Sequence, residues 1–382
     1  MREGKQIIDA DGHVMEPPDL WDRYIDREFY GVRPQGSQTD VSINLLGKRI
    51  SRSSESKRFW ERNRDDEGNG PFAAAAKQGY SALSHLAMMD EEGIDVMVLY
   101  PSRGLFAAAI GDLDGSIASA IGRAYDRWLA DYCAESERLK GMALVPLHDP
   151  AHAAADARWA VEELGLTGIM VRPNPAHGRN LHDAAYDDFY STLEDLNVPL
   201  SIHEGCGVFM PQYGIDRFDE HIIWHAMCHP MEQMGAVVSF TLGGIWERHP
   251  RLDAAFLESG AGWLPYWLHR LDEHIEWLGE IETPELTASP TEYFRRHGYI
   301  GMEGDEPALR AVVSAVGADR LLWASDYPHP DAKYPGMVDA FLEVDDLTSD
   351  EKELVLADNP RRFYRLSTKD DAGLASASKI AS

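Results

Sequence analysis

The stretch "IIDADGHVMEP" (residues 7–17) decides the fold, because it places three ionisable side chains inside an apolar segment. Asp9, Asp11 and His13 are spaced two residues apart. In a β-strand, residues i, i+2 and i+4 lie on one face, so we expect these side chains to point the same way, toward the interior. The stretch is predicted to be a buried first strand with polar chemistry at its end, and Asp9, one step deeper, is expected to support the other two.

Short apolar runs recur along the rest of the chain, with helical patterns between them. Strands are predicted at 7–13, 95–100, 141–146, 168–173, 199–203, 253–258, 298–302 and 321–326. Helices are predicted at 81–92, 115–137, 150–164, 183–196, 216–234, 262–278, 305–316 and 349–358. Continuous apolar strands that alternate with helices are typical of parallel βα units. Eight such units favour an α/β fold of the TIM (β/α)8 barrel type spanning residues 1–366. An open doubly wound sheet is the alternative, although no GxGxxG motif follows an early strand.

Two connections are too long to be simple links. They follow the first and the fifth predicted strands and are interpreted as cap insertions near residues 17–80 and 206–250. Both leave the carboxyl end of a strand, where a barrel builds its active site. The small, polar tail at 367–382 is expected to be disordered.

The composition limits the kinds of binding partner and the cellular compartment that we expect for this protein. Lys and Arg number 36 against 64 Asp and Glu, a net charge of −28 that argues against nucleic-acid and anionic-membrane partners. The three cysteines form no CxxC pair, so a disulfide framework is a poor interpretation. The first residues lack the apolar core of a signal peptide, and no run matches a membrane span. A cytoplasmic protein that acts on a small molecule is expected.

Ionisable residues stand at the ends of four predicted strands. Asp11 and His13 end the first, His203 the fifth, Glu258 the sixth and Asp326 the eighth. A lone strand-end histidine is commonly a satisfied, partly buried side chain, and a lone carboxylate is commonly a helix cap. Because all strand ends of a closed barrel meet at one mouth, the five together predict a site for one divalent cation.

Other candidates concern substrate. Arg172 in "MVRPNP" offers a planar fork for a substrate carboxylate, and a structural ion pair is the alternative. His221, His225 and His229 share one helix face at spacing four, which is compatible with a second metal site or an acid/base set, with a lid helix of partly exposed histidines as the alternative. Between these two interpretations, His225 is the one expected to reach substrate. His329 is expected to face the pocket unless it is a loop histidine bonded to backbone.

Aromatic residues in the two insertions are candidates for the pocket wall. Trp21 and Tyr213 are the main ones, with Trp60, Phe209 and Trp224 in the same segments. Packing in the core is the alternative for each of them.

These stretches resemble the amidohydrolase-related (amidohydrolase 2) family, which includes aminocarboxymuconate-semialdehyde decarboxylase and related aromatic-acid decarboxylases. The resemblance is carried by "IIDADGHV", "PLSIHEG", "WERHPRLDAAFLESGAGWLPYWLHRLD" (246–272), "DRLLWASDYPHPD" (319–331) and "DNPRRFYRL" (358–366). It implies a TIM barrel with one metal ion, for which Asp11, His13, His203 and Asp326 fall on ligand positions. It also implies a homo-oligomer, most simply a dimer.

The sequence departs from the family pattern at two of these positions. Asp11 stands where many members have histidine, which makes the site richer in oxygen and weakens the preference for zinc over manganese. Zinc remains the first expectation, with manganese and iron as alternatives. Glu258 stands where the characterised decarboxylases have a catalytic histidine. Its role is left open between a fifth ligand, an acid/base group and a partner of a ligand histidine.

A metal held by two histidines and carboxylates supports two reactions. In non-oxidative decarboxylation of an aromatic or conjugated acid, Asp326 or Glu258 delivers a proton to carbon as carbon dioxide leaves. In hydrolysis of an amide, ester, lactone or C–C bond, Asp326 takes a proton from an attacking water. Decarboxylation is the first expectation and hydrolysis the second. A binding barrel with a structural metal, or with none, is the alternative of another class.

Overall fold

Eight parallel strands follow one another around a single sheet in the order of the chain. The computed structural model describes residues 4–37, 41–50, 70–304, 306–330 and 332–367. Its strands are β1 (Ile8–Val14), β2 (Gln35–Gly36), β3 (Ile43–Leu45), β4 (Lys48–Ile50), β5 (Val96–Pro101), β6 (Leu139–Leu144), β7 (Gly168–Val171), β8 (Leu200–Ile202), β9 (Ala254–Phe256), β10 (Gly298–Met302) and β11 (Leu321–Trp323). The barrel sheet has the order β1-β5-β6-β7-β8-β9-β10-β11, and β2–β4 form a separate antiparallel sheet. All eight predicted strands are present, and the predicted TIM barrel is confirmed.

Backbone hydrogen bonds just beyond β11 join the last strand of the barrel to the first. The N–H of Asp326 donates to the carbonyl of Asp11 at 3.0 Å, and the N–H of His13 donates to the carbonyl of Tyr327 at 2.7 Å. The seam that closes the barrel therefore runs through three of the predicted ligand residues.

Asp9 supports this seam from below. Its Oδ1 accepts hydrogen bonds from the backbone N–H of Asp11 at 3.3 Å and of Ser325 at 3.1 Å. The register between β1 and β5 shifts between Asp9 and Gly12, so the strict alternation assumed for the first strand is broken there. Asp9 is fully buried and bonded to backbone, as expected for a supporting residue.

Helices surround the barrel. They are α1 (Leu20–Tyr24), α2 (Ala73–Lys77), α3 (Ala82–Glu92), α4 (Gly104–Ala107), α5 (Gly115–Cys133), α6 (Pro150–Glu162), α7 (Asp187–Leu196), α8 (His221–Phe240), α9 (Ile245–Arg248), α10 (Leu264–Glu282), α11 (Pro290–His297), α12 (Leu309–Val316), α13 (Met337–Leu342), α14 (Ser349–Glu353) and α15 (Asn359–Phe363). Local chemistry fixes several starts: the side chains of Asp114 and Asp149 accept hydrogen bonds from the first turns of α5 and α6.

The two segments predicted as cap insertions carry secondary structure of their own. The first carries α1, the β2–β4 sheet and α2, and the second carries α8 and α9. The lid helix predicted at 216–234 begins later and ends later, at His221–Phe240, and continues through Pro230. Trp60 and residues 368–382 of the predicted tail lie outside the described residues. Within the described ranges, every helix is too short or too polar to cross a lipid bilayer.

Candidate active site

Five predicted side chains meet at the carboxyl ends of the barrel strands. Nε2 of His13 lies 3.5 Å from Oδ1 of Asp11 and 3.3 Å from Oδ1 of Asp326. Nε2 of His203 lies 3.7 Å from Oδ1 of Asp11 and 3.0 Å from Oε2 of Glu258. The structure therefore brings the four predicted ligands together and places Glu258 beside them.

Both histidines are oriented by the backbone. Nδ1 of His13 is 3.0 Å from the carbonyl of Pro101, and Nδ1 of His203 is 2.8 Å from the carbonyl of Glu204. A carbonyl can only accept, so each Nδ1 carries a proton and each Nε2 faces the centre of the site, where it presents a lone pair whenever the ring is neutral. This is the arrangement in which proteins hold metal-ligating imidazoles.

Four buried polar atoms point into the space between these residues. Within the described part of the chain, Oδ1 of Asp11 and Nε2 of His13 have no hydrogen-bond partner, and Nε2 of His203 and Oε2 of Glu258 face only each other at 3.0 Å. Leaving buried polar atoms unsatisfied is costly, and a bound cation removes that cost. Two imidazoles and three carboxylates are donors that suit Zn²⁺ or Mn²⁺, so the residues present fit one divalent ion.

Burial and neighbouring charges shift the pKa values of the site residues in different directions. Burial raises the pKa of Asp11 well above its usual range, and the charges of Asp326 and Glu258 act in the same direction, opposed by His203. Burial lowers the pKa of His13 well below its usual range, helped by His329 and His203. His13 is therefore neutral, the form in which an imidazole binds a metal.

Two of the carboxylates sit on strained backbone. Glu258 has φ of 50° and Asp326 has φ of 56°, in the left-handed region that side chains other than glycine seldom adopt. Such conformations persist where the surrounding structure enforces them, and they cluster at functional sites. In both cases the turn directs the side chain from the end of a strand into the site.

His329 lies beside Asp326, inside the site. Its Nδ1 is 2.7 Å from Oδ1 of Asp326, and its ring stacks on His13 with centroids 3.9 Å apart. Its Nε2 is 2.8 Å from Oγ of Ser102, a residue that no sequence pattern indicated. The ring thus connects a site carboxylate to a hydroxyl.

Of the three histidines on helix α8, His229 contacts the site directly, and the catalytic role expected for His225 stays a prediction. Nδ1 of His229 is 3.0 Å from the carbonyl of Glu258 and 3.6 Å from its Oε1. Side-chain atoms of His225, His229 and Glu258 that could bind a metal lie within 4.8 Å of one another. The spacing of four identified the correct face, but it did not show which histidine would contact Glu258.

Arg172 needs a correction. Its guanidinium donates to Oε1 of Glu204 at 2.6 Å, to the carbonyls of Leu105 and Gly205, and to Oδ1 of Asn174. The ion pair with Glu204 is buried, with side-chain exposures of 10% and 0%. A fork occupied in this way is not open to a substrate carboxylate, so the structural alternative describes Arg172.

The predicted pocket wall is also corrected at Trp21. This side chain is fully buried, and its Nε1 donates to the carbonyl of Ile121 at 3.3 Å, so it packs in the core between α1 and α5. Tyr213 lies in the loop before α8 with 49% of its surface exposed, and its backbone N–H donates to Glu232. A role for Tyr213 in substrate binding stays a prediction.

Comparison with known proteins places this site in a wider context. A protein-family model described as Amidohydrolase matches residues 8–366. A gamma-resorcylate decarboxylase from Polaromonas sp. is 28% identical over 256 residues, which cover 63% of this chain and 75% of that protein. A 2-amino-3-carboxymuconate-6-semialdehyde decarboxylase from Dictyostelium discoideum is 27% identical and covers 60% of this chain and 62% of that protein.

Solved structures share the fold. An amidohydrolase from Mycobacterium avium subsp. paratuberculosis has a TM-score of 0.76 at 20% identity and covers 96% of this chain and 99% of that chain. A dihydroxybenzoic acid decarboxylase from Polaromonas sp., with bound manganese and 2-nitroresorcinol, has a TM-score of 0.66 at 19% identity and covers 96% of this chain and 98% of that chain.

Proposed function

This chain belongs to the amidohydrolase family, and from that membership and the site geometry we propose that it is a metal-dependent, non-oxidative decarboxylase of an aromatic carboxylic acid. The observation that carries the proposal is the convergence of two backbone-oriented Nε2 atoms with the carboxylates of Asp11 and Glu258 on one buried point. Relatives from Polaromonas sp. and Dictyostelium discoideum are named as decarboxylases. The chain is an enzyme, so the alternative of a binding barrel is set aside.

Asp11, His13, His203 and Asp326 are the residues that would hold the ion, with Glu258 at its edge. A divalent cation at this position would bind a substrate carboxylate and a neighbouring oxygen, neutralising their charge. Around it, the backbone bonds of His13 and His203 keep both rings fixed before substrate arrives. The protein's contribution is a pre-arranged site at which an ion would attract an anionic substrate to a chain of strongly negative net charge.

Asp326 is the proposed proton donor. Decarboxylation breaks the bond between the ring carbon and the carboxylate carbon, and the ring carbon must gain a proton as carbon dioxide departs. Asp326 faces the site, and Nδ1 of His329 at 2.7 Å is close enough to return a proton to it. Ser102, 2.8 Å from Nε2 of the same ring, fixes that ring's orientation.

Zinc and manganese are the two main candidates for the ion at this site. Zinc, expected from the sequence, stays a prediction. Manganese is bound by the solved decarboxylase from Polaromonas sp., and a site with three carboxylates beside two imidazoles suits it at least as well. Metal analysis of protein purified without chelator distinguishes the two.

Hydrolysis is kept as the second candidate because of Glu258. A carboxylate 3.0 Å from Nε2 of His203 and beside His229 is a suitable base for an attacking water. The two candidates make opposite predictions about which compounds react.

The test is a panel of hydroxybenzoates and conjugated semialdehyde acids, assayed for release of carbon dioxide, beside a panel of esters, lactones and amides. Wild-type protein is expected to decarboxylate at least one acid. Asp326→Asn keeps an oxygen at this position but removes the proton, and we expect kcat to fall roughly 10²- to 10⁴-fold. The control Asp350→Asn, on the exposed side of α14, should retain full activity. Turnover of esters, lactones or amides with no reaction of any acid would replace this proposal with hydrolysis.

A further inference from the structure

A second cluster of potential metal-ligating side chains lies beside the active site, at helix α8. We propose that Cys206, Cys228 and His229, with His221 as the fourth ligand, form a separate site for a thiophilic divalent cation such as Zn²⁺, which fastens the cap to the barrel. This inference does not depend on the reaction assigned above.

The spacing of the donor atoms carries the proposal. Sγ of Cys206, Sγ of Cys228 and a ring nitrogen of His229 lie within 4.8 Å of one another. Nε2 of His221 lies 3.4 Å from Sγ of Cys206. Around tetrahedral zinc, two sulfurs are about 3.8 Å apart and a sulfur and a nitrogen about 3.6 Å apart, given the usual bond lengths. Cys206, Cys228 and His229 therefore need only small side-chain movements to close on an ion. His221, which lies beside Cys206, would turn toward the same ion to complete the site.

The orientation of His229 supports the same assignment. Its Nδ1 donates to the backbone carbonyl of Glu258 at 3.0 Å. Nε2 is then the ring nitrogen left to face the two thiols, and binding of an ion would displace any proton that it carries. This is the arrangement found for His13 and His203 in the active site.

The burial of this cluster and the types of side chain in it indicate a built site and not a chance contact. Cys206, Cys228 and His229 are 7%, 1% and 5% exposed. Two buried cysteines alone are explained by packing, since a free thiol behaves as a small apolar group. Two imidazoles beside the thiols are not explained by packing, and a set of two Cys and two His is a common structural zinc site.

The site would join two parts of the chain. Cys206 lies at the start of the second insertion, just after β8 ends at Ile202, whereas the other three residues lie on α8. A closed four-ligand site leaves no position for substrate, so its role is to hold α8 against the barrel mouth. His229 also contacts Glu258, so the same ion would steady one wall of the active site.

The experiment loads the full-length protein with Co²⁺ under anaerobic conditions. A thiolate–cobalt charge-transfer band is expected in wild-type protein, because the strand-end site has no sulfur ligand. Cys206→Ser and Cys228→Ser should lose the band and one equivalent of bound metal. Cys133→Ser, which changes the partly buried cysteine of α5, should retain both. His203→Gln, which alters the strand-end site alone, should also keep the band, so failure of the proposed function and failure of this site are distinguishable.

A measurement on unmutated protein covers the case in which a cysteine variant does not fold. Zinc should slow alkylation of Cys206 and Cys228, and a chelator should restore their reactivity, while Cys133 responds to neither treatment. The site is overturned if no thiolate band forms, if the band persists in both cysteine variants, or if anaerobically purified protein contains a Cys206–Cys228 disulfide.

Discussion

Nδ1 of His329 lies 2.7 Å from Oδ1 of Asp326, so an imidazole and a site carboxylate are in direct contact at the barrel mouth. The ring is fixed from two other sides, by Ser102 at its Nε2 and by stacking on His13. A carboxylate and an imidazole held so closely exchange protons without rearrangement. His329 is therefore expected to act in proton transfer.

Replacement of His329 tests this role. His329→Asn keeps a nitrogen donor near Asp326 but removes the ring, and we expect kcat to fall roughly 10²- to 10⁴-fold with the metal content unchanged. Ser102→Ala should cause a smaller loss, because it affects only the ring's orientation. Steady-state kinetics with metal analysis of the same samples provides the measurement, and His269→Asn on the exposed side of α10 is the control. Full kcat accompanied by loss of metal would show that the ring serves the ion instead.

Glu258 is predicted to contribute to metal affinity. Its Oε2 is buried and lies 3.0 Å from Nε2 of His203, a predicted metal ligand. Glu258→Gln removes the negative charge at nearly constant shape, and we expect metal affinity to fall roughly 10- to 100-fold. Competition with a chelator measures the affinity, with the exposed Glu282→Gln as control. Unchanged affinity with a lower kcat would assign Glu258 to acid/base chemistry alone.

The fold was predictable because each barrel strand is a short apolar run followed by a helix. The strand-end residues were predictable for the same reason, since parallel strands place their carboxyl ends at one mouth. The exact ends of the strands were harder to predict. β9 ends at Phe256, before Glu258, because the backbone turns into the left-handed region there.

Residues whose role depends on a distant partner were not predictable. The environment of Arg172 is set by Glu204, which directly follows the predicted ligand His203, and no sequence pattern indicates that this acid turns toward β7. Trp21 is buried against Ile121 of α5, a contact about a hundred residues away in sequence. His229, and not His225, contacts the carbonyl of Glu258, because the rotation of α8 about its axis turns that residue toward the site. The spacing of four residues does not determine this rotation.

Arg172 should affect stability and leave substrate affinity unchanged. Arg172→Met strands the buried carboxylate of Glu204, a loss expected to cost about 3–5 kcal/mol in the free energy of unfolding. Arg172→Met combined with Glu204→Gln should recover part of that loss, because no charge is then left buried. Urea denaturation measures the stability, and KM is measured below the unfolding temperature of each variant. A KM raised about tenfold or more at unchanged stability would return Arg172 to the substrate site.

His148 should make the protein less stable in acid. Its side chain is buried, its Nε2 donates to the carbonyl of Ile110 at 2.9 Å, and burial lowers its pKa from 6.5 to about 4. The unfolded chain takes up a proton near pH 6.5, whereas the folded protein does not until about pH 4. The stability that depends on neutral His148 is therefore complete above pH 6.5 and is lost as the pH falls through this window, by up to about 3 kcal/mol.

His148→Gln isolates this contribution, because glutamine can still donate to Ile110 but does not titrate. We expect the free energy of unfolding of the variant to fall less steeply than that of wild-type protein between pH 6.5 and 4. Urea denaturation across that range measures the difference, and the exposed His269→Gln should follow the wild-type curve. Parallel curves for wild-type protein and His148→Gln would show that burial of His148 does not contribute to acid sensitivity.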